Sequence, residues 1–309
     1  DAPVPASLYP AGGMGWFGEP AICGAHDDAD GALSWSSSTI ERRGDTIAVM
    51  LFDQRTQLRA HLTYTMDGAT GVLAFRATLH NDGRTAFRVQ QAASLCLPLP
   101  PWASEILAPA GDWSREARPV RLALAAGSWS QTNRTGRTGF PGSTFTVLES
   151  SAGDQAGRVL AMHLAWSGDH RLMVETLPSG QRMAIAGILL APGEVVLAPG
   201  TSFETPSAYA CFSGDGLNGV SEAFHPFVRA NVLPPRTDSV RRVHFNSWEA
   251  AYFSFDDASL RDLASAAASI GAERFVLDDG WFAGRRDDTS SLGDWRVDRQ
   301  RFANGLTPL

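Results

Sequence analysis

Between Leu58 and Met66 the chain alternates. Leu58, Ala60, Leu62, Tyr64 and Met66 are separated by Arg59, His61, Thr63 and Thr65. A period of two puts the apolar side chains on one face of an extended strand and the polar ones on the other. Asp67-Gly68 then supplies a turn, and Leu73, Phe75, Ala77 and Leu79 alternate again before Asn81-Asp82-Gly83. Two such runs joined by turn residues read as a hairpin. Strand-like runs recur at 87–97, 158–166, 171–176 and 183–190, with Gly, Ser, Pro and Asp clusters between them. Residues 45 to about 212 are therefore predicted to be mainly β, an antiparallel sandwich or barrel. Residues 127–142, GSWSQTNRTGRTGFPG, interrupt the pattern. A polar, glycine-rich stretch of this length reads either as a functional loop or as an irregular connection.

The period changes after Gly216. Val220, Ala223, Phe224 and Phe227 share one helical face, and Pro226 weakens the middle of that helix. Pro234-Pro235 stops it. The spacing predicts a β domain over 1–233, ending in a linker helix near 216–232, and a second domain over 234–309. In the second domain, residues 243–248 form a short strand candidate. Phe255-Asp256-Asp257 supplies a helix N-cap. Leu260, Leu263, Ala264, Ala267 and Ile270 then fall on one helical face, and Gly271 stands where a left-handed C-cap belongs. Residues 274–277 are apolar enough for a strand buried in a parallel sheet. This is a right-handed βαβ unit.

The second strand runs into Asp278-Asp279-Gly280-Trp281, and the first into Trp248-Glu249. In open α/β sheets and in (β/α)₈ barrels, ligands bind at the C-terminal ends of the strands. Carboxylates accept hydrogen bonds from sugar hydroxyls, and indole faces cover apolar C–H patches. The bland readings are a common Asp-Asp-Gly turn and a tryptophan packed in the core. Neighbouring strand side chains point to opposite faces, so the two aspartates share a ligand only if the strand has turned by Gly280. Binding suits this pair better than the acid and nucleophile roles, which need opposite flanks of one bond. Trp295, in the loop Ser291-Leu292-Gly293-Asp294-Trp295, either caps such a site or packs beside it.

Other chemistries lack their signatures. The chain carries a formal charge of -7 and no lysine, so it has no basic stripe for nucleic acid. No run approaches 18 apolar residues, and DAPVPASLYP has neither a basic region nor an apolar one, so the expected location is cytoplasmic, away from membranes. Cys23, Cys96 and Cys211 have no CxxC spacing and are predicted to be buried small hydrophobes. The seven histidines show no HExxH, so no metal is expected. Neither a phosphate loop around the GGMG at residues 12–15 nor a Gly-x-Ser-x-Gly elbow is present, so no cofactor is predicted.

The segments NSWEAAYFSFDDASLRDLA (246–264) and FVLDDGWFAGRRDDTSSLGDWRVDRQRFANGL (275–306) resemble the α-galactosidases of glycoside hydrolase family 36. Looser likenesses are GWFGEP (15–20), GDWSREARP (111–119), 127–140 and 216–229. The resemblance implies an N-terminal antiparallel β-supersandwich followed by the first βαβ part of a (β/α)₈ barrel. It implies retaining hydrolysis of terminal α-1,6-galactosides such as melibiose and raffinose, by an assembly of identical subunits, tetrameric in the family. It assigns Asp278 and Asp279 to galactose hydroxyls and Trp248 to the pocket wall, and Trp281 and Trp295 complete the expected substrate-binding set. The family's nucleophile lies in a Lys-x-Asp motif on a later strand, and its acid/base lies further on. This chain has no lysine, and about 75 residues follow the predicted boundary where a barrel takes about 250. No catalytic residue is therefore expected here. The carboxylates that break the bond are expected C-terminal to Leu309, and the chain alone is expected to be inactive. Three alternatives stay open: an α-galactosyltransferase of the raffinose synthase type, an α-N-acetylgalactosaminidase, and a non-catalytic carbohydrate-binding or oligomerisation module.

Overall fold

The computed structural model describes residues 8–27, 31–234 and 240–309. Pro235 and the first seven residues of DAPVPASLYP lie outside the described residues. The chain forms two compact units, Asp1–Leu233 and Pro234–Leu309.

The strands of the first unit run in chain order. They are β1 (Ile22–His26), β2 (Ser37–Arg43), β3 (Thr46–Asp53), β4 (Leu58–Met66), β5 (Leu73–Asn81), β6 (Phe87–Pro98), β7 (Glu105–Ala110) and β8 (Arg118–Ala123). There follow β9 (Gly127–Asn133), β10 (Phe145–Glu149), β11 (Val159–Leu164), β12 (His170–Thr176), β13 (Arg182–Leu189), β14 (Val195–Leu197), β15 (Ser202–Glu204) and β16 (Ala208–Ser213). Among the described residues they make two antiparallel sheets. One has six strands in the order β1-β6-β13-β12-β9, with β14 also on β6; the other has ten, β2-β3-β4-β5-β16-β11-β10-β7-β8, with β15 also on β5.

The alternation that opens the sequence becomes the β4–β5 hairpin, in register from Leu58 opposite Asn81 to Met66 opposite Leu73. Leu58, Ala60 and Leu62 from the larger sheet join Val89, Ala93 and Ile185 from the smaller in one buried cluster. A second cluster continues it through Phe75, Leu95, Leu148, Met162 and Leu172. The helix α1 (Gly216–Asn231) covers part of the larger sheet, packing Val220 and Phe227 with Val147, Val159, Ala161 and Cys211. The strand β10 is consequently covered on both faces, and from Thr146 to Glu149 every residue is buried. Its sequence cannot alternate.

Two expectations, on residues 127–133 and on Ile270, are corrected. Residues 127–133 are not loop but the edge strand β9, paired with β12 from Gly127–Thr176 to Asn133–His170. Only Trp129, Gln131 and Asn133 are even half-buried, so a polar edge strand carries no apolar period. The linker helix expected near 216–232 is α1, which runs through Pro226. Its apolar face, docked on β11 and β16, offsets the one backbone donor that proline removes. Ile270, assigned to the buried face of the following helix, is 81% exposed, because the helix has already ended at Ser269.

In the second unit, β17 (His244–Asn246) pairs in parallel with β18 (Arg274–Val276). Between them lie a short helix α2 (Trp248–Ala251) and α3 (Asp257–Ser269). The Asp256 carboxylate accepts the Ser259 N–H, and the Ser259 hydroxyl accepts the Asp256 N–H, which closes a capping box. Gly271 has φ 95°, the left-handed conformation expected of a C-cap glycine. The strands are shorter and less buried than the apolar runs suggest. Phe275 and Val276 are half-buried, since each strand has a single neighbour among the described residues. Leu260, Phe255 and Phe302 form the core of this unit.

Candidate active site: two tied strand ends

Asn246 closes β17 and organises the residues after it. Its Oδ1 accepts the Trp248 N–H at 2.8 Å, and its Nδ2 donates to Asp278 Oδ2. The first bond is an Asx turn, which stops the strand and starts α2. Trp248 therefore opens a helix rather than ending a strand. The second bond ties the two strand ends together. Ser247, 2% exposed, completes the tie: its N–H donates to Val276 O at 3.0 Å and its hydroxyl accepts the Asp278 N–H at 3.1 Å. The Trp248 ring is half-buried, edge-to-face with Tyr252 (5.1 Å) and Phe253 (5.0 Å).

Asp278 and Asp279 go to different partners. The Asp278 carboxylate faces Asn246 and takes the Asp279 N–H on Oδ1. Asp279 meets Arg285. Arg285 Nη2 reaches Oδ2 at 2.8 Å, and Nε lies 3.0 and 3.1 Å from Oδ1 and Oδ2. The Gly280 N–H adds a bond to Oδ1 at 2.9 Å. Hydrogen bonds from Arg285 hold the Asp279 carboxyl below its ordinary range, and the same bonds raise Arg285. The strand has turned at Gly280, whose φ is 85°.

A second arginine fastens the turn from behind. Arg301 Nη1 donates to Gly280 O at 2.9 Å and Nη2 to Phe253 O at 3.0 Å, while its guanidinium lies 4.4 Å over the Phe255 ring. The loop after Trp248 and the aspartate turn are thus one rigid assembly. Trp281 and Trp295 form a separate pair, stacked at 6.4 Å with an interplanar angle of 28°. Trp281 packs on the core of the unit, and Trp295 is 64% exposed. Asn246, Ser247, Arg285 and Arg301 escape the sequence reading. Asn246 stands two residues before Trp248, an Asx-turn spacing that offers a local signal. The partner of Arg285 depends on the path of the chain around Gly280, which no periodicity reports.

Burial pushes the Cys211 thiol up to about 11 and also raises Cys96, both buried, and half-buried Cys23. None is a thiolate near neutral pH. Among the described residues, no group of three or more His, Cys, Asp or Glu side chains is placed to hold a metal ion. No helix of the described residues is long and apolar enough to cross a membrane.

A profile of the glycosyl hydrolase family 36 N-terminal domain matches residues 2–198, and a melibiase profile matches residues 202–309. The alpha-galactosidase of Escherichia coli is 35% identical over 312 residues, which is 100% of this chain and 44% of that protein. Alpha-galactosidase Mel36A of Lactobacillus acidophilus is 32% identical, covering 88% of this chain and 37% of the relative. The crystal structure of GH36 alpha-galactosidase AgaA from Geobacillus stearothermophilus superposes with a TM-score of 0.88 at 29% identity, over 96% of this chain and 44% of that one. The chain spans less than half the length of these relatives. An antiparallel sandwich followed in the chain by the opening of a parallel β/α unit is the architecture that superposes on that structure. The chain belongs to glycosyl hydrolase family 36.

Proposed function

We propose that residues 244–309 carry the galactose-binding corner of an α-galactosidase site, and that the whole protein hydrolyses terminal α-1,6-galactosides with retention. The observation that carries this is the Asn246 bridge, whose one side chain holds both the Trp248 backbone and the Asp278 carboxylate at the ends of two parallel strands. Asp278 and Asp279 accept hydroxyl hydrogen bonds, Trp248 covers the apolar face of the sugar, and Trp281 and Trp295 border the subsite. AgaA, a family relative, has been crystallised with raffinose and with stachyose, both α-galactosides.

Binding is the role these aspartates suit. A general acid needs a raised pKa, and Arg285 lowers that of Asp279. With no lysine, residues 1–309 contain no Lys-x-Asp nucleophile motif, so this segment binds sugar without cleaving it. Calorimetric titration of galactose into the full-length protein and its Asp278→Ala variant tests the subsite. A loss of at least about tenfold is expected, the weight of one charge-assisted hydrogen bond; unchanged affinity sinks the reading. Turnover of p-nitrophenyl α-galactoside by residues 1–309 alone refutes the division between binding and cleavage. Assembly into a homo-oligomer is proposed as well, and light scattering showing only monomer contradicts it.

A further inference from the structure

We infer that Arg285 is a positioning residue, which holds the Asp279 carboxylate in one orientation as a hydrogen-bond acceptor of the sugar subsite. The inference rests on the galactose-subsite reading above and deepens it.

Arg285 is 5% exposed, although it is a guanidinium on a polar loop. Each of its three nitrogens donates a hydrogen bond. Nε and Nη2 grip both oxygens of Asp279, and Nη1 donates to Ser290 O at 2.9 Å. Its guanidinium carbon lies 5.7 Å from the centre of the Phe253 ring, whose other neighbour is Trp248. A carboxylate offers about four lone-pair directions. Three donor hydrogens occupy them: the Gly280 N–H on Oδ1, Nη2 on Oδ2, and the single Nε hydrogen shared between the two oxygens. Asp279 nevertheless keeps 19% of its side-chain surface exposed. A hydroxyl donor therefore has one open edge of the carboxylate to approach, and Arg285 decides which edge. Lysine at 285 would supply a point charge without the fork.

The charged groups around the pair are few. Asp288 stands 3.9 Å from Arg285, Asp287 acts on it from further off, Asp278 adjoins Asp279, and Arg301 lies behind Gly280. With Arg285 in place, Asp279 stays ionised below the ordinary carboxylate range. Its capacity to accept a hydroxyl therefore survives acidification. Removing Arg285 raises the Asp279 pKa, so the acid limb of binding moves to higher pH.

Galactose titrations on the full-length protein at a series of pH values test this. Arg285→Gln is expected to weaken galactose by about tenfold and to shift the acid limb upward, with Arg285→Lys intermediate. Added to Asp279→Asn, Arg285→Gln is expected to cost almost nothing more, because the arginine acts through the aspartate. Wild-type affinity in Arg285→Gln, an unmoved acid limb, or additivity with Asp279→Asn overturns the inference. Should Arg285→Gln fail to fold, Arg285→Lys carries the test, and wild-type affinity there overturns it. If Asp278→Ala binds like wild type, the subsite reading itself falls. If Asp278→Ala loses binding while Arg285→Gln does not, only the role of Arg285 falls.

Discussion

Gly280 is the hinge on which the aspartate pair turns, and replacing it with alanine measures how firmly the turn is built. Two costs add. At φ 85° a residue with a Cβ sits in the left-handed region, at about 1–2 kcal/mol. The new Cβ would stand 3.1 Å from Phe253 Cδ1, 3.3 Å from Arg301 Nη1 and 3.4 Å from Phe255 Cε1. Those neighbours lock one another, so they yield by tenths of an ångström at about 1 kcal/mol, the low end of overpacking. The sum is about 2–3 kcal/mol, or roughly 30- to 150-fold in the opening equilibrium. Gly271→Ala is the control: its φ of 95° carries the conformational cost, but nothing lies within 4 Å of its Cβ. Native-state hydrogen exchange on peptides covering 274–282 reads both variants in the same unit. Gly280→Ala should lose more protection than Gly271→Ala by about 1 kcal/mol, and it alone should weaken galactose. Equal losses in the two variants, or unaltered galactose affinity in Gly280→Ala, refute the reasoning.

Three other outcomes are expected from the packing and charge. Phe87 is fully buried and edge-to-face with His26, so Phe87→Ala should cost about 3–5 kcal/mol in urea denaturation, while Phe17→Ala, at an 89% exposed site, should stay within about 0.5 kcal/mol. Burial lowers the pKa of His163, and His80 is lowered the same way. Below about pH 6.5 the unfolded chain takes up protons the folded one resists, so stability falls with pH, and His163→Gln should flatten that slope between about pH 6.5 and 5 in denaturation midpoints. The Asp256 and Asp279 carboxyls are lowered by bonds from Ser259 and Arg285 respectively. Their contribution is complete above about pH 4 and is lost as pH falls through the lowered values. Melting of the 234–309 unit should therefore drop below about pH 4, and a flat or rising Tm there contradicts the assignment.

What the sequence reveals divides along physical lines. The β4–β5 hairpin and the Asp256 cap are legible because the interactions that make them are local: alternation, a turn and a three-residue reach. The strands β2 and β8 are not, because every residue of each is exposed and no apolar period marks an edge. The helix spanning Pro226 is legible from its apolar face, and tertiary docking outweighs the local breaker. At the candidate site the groups proposed to bind sugar are visible, namely Trp248, Asp278 and Asp279. Arg285 and Arg301, which hold them, are not. Their bonds run to a side chain six residues away and to carbonyls 21 and 48 residues away.

The order of strands in the larger sheet has a consequence for how the chain assembles. The strand β16 lies between β5 and β11, and Ala208 pairs with Phe75. Without β16 the sheet would be two pieces: β2 to β5 on one side, and β11, β10, β7 and β8 on the other. Each presents an unpaired edge. About 130 residues separate the partners, so at roughly 5–20 residues per second a nascent β5 waits on the order of 10 s for its neighbour. Closure of a contact that distant in sequence is slow in its own right. Ala208–Ser213 thus acts as a keystone laid last. The hazard for this protein lies in that interval, when another copy's strand can fill the gap first.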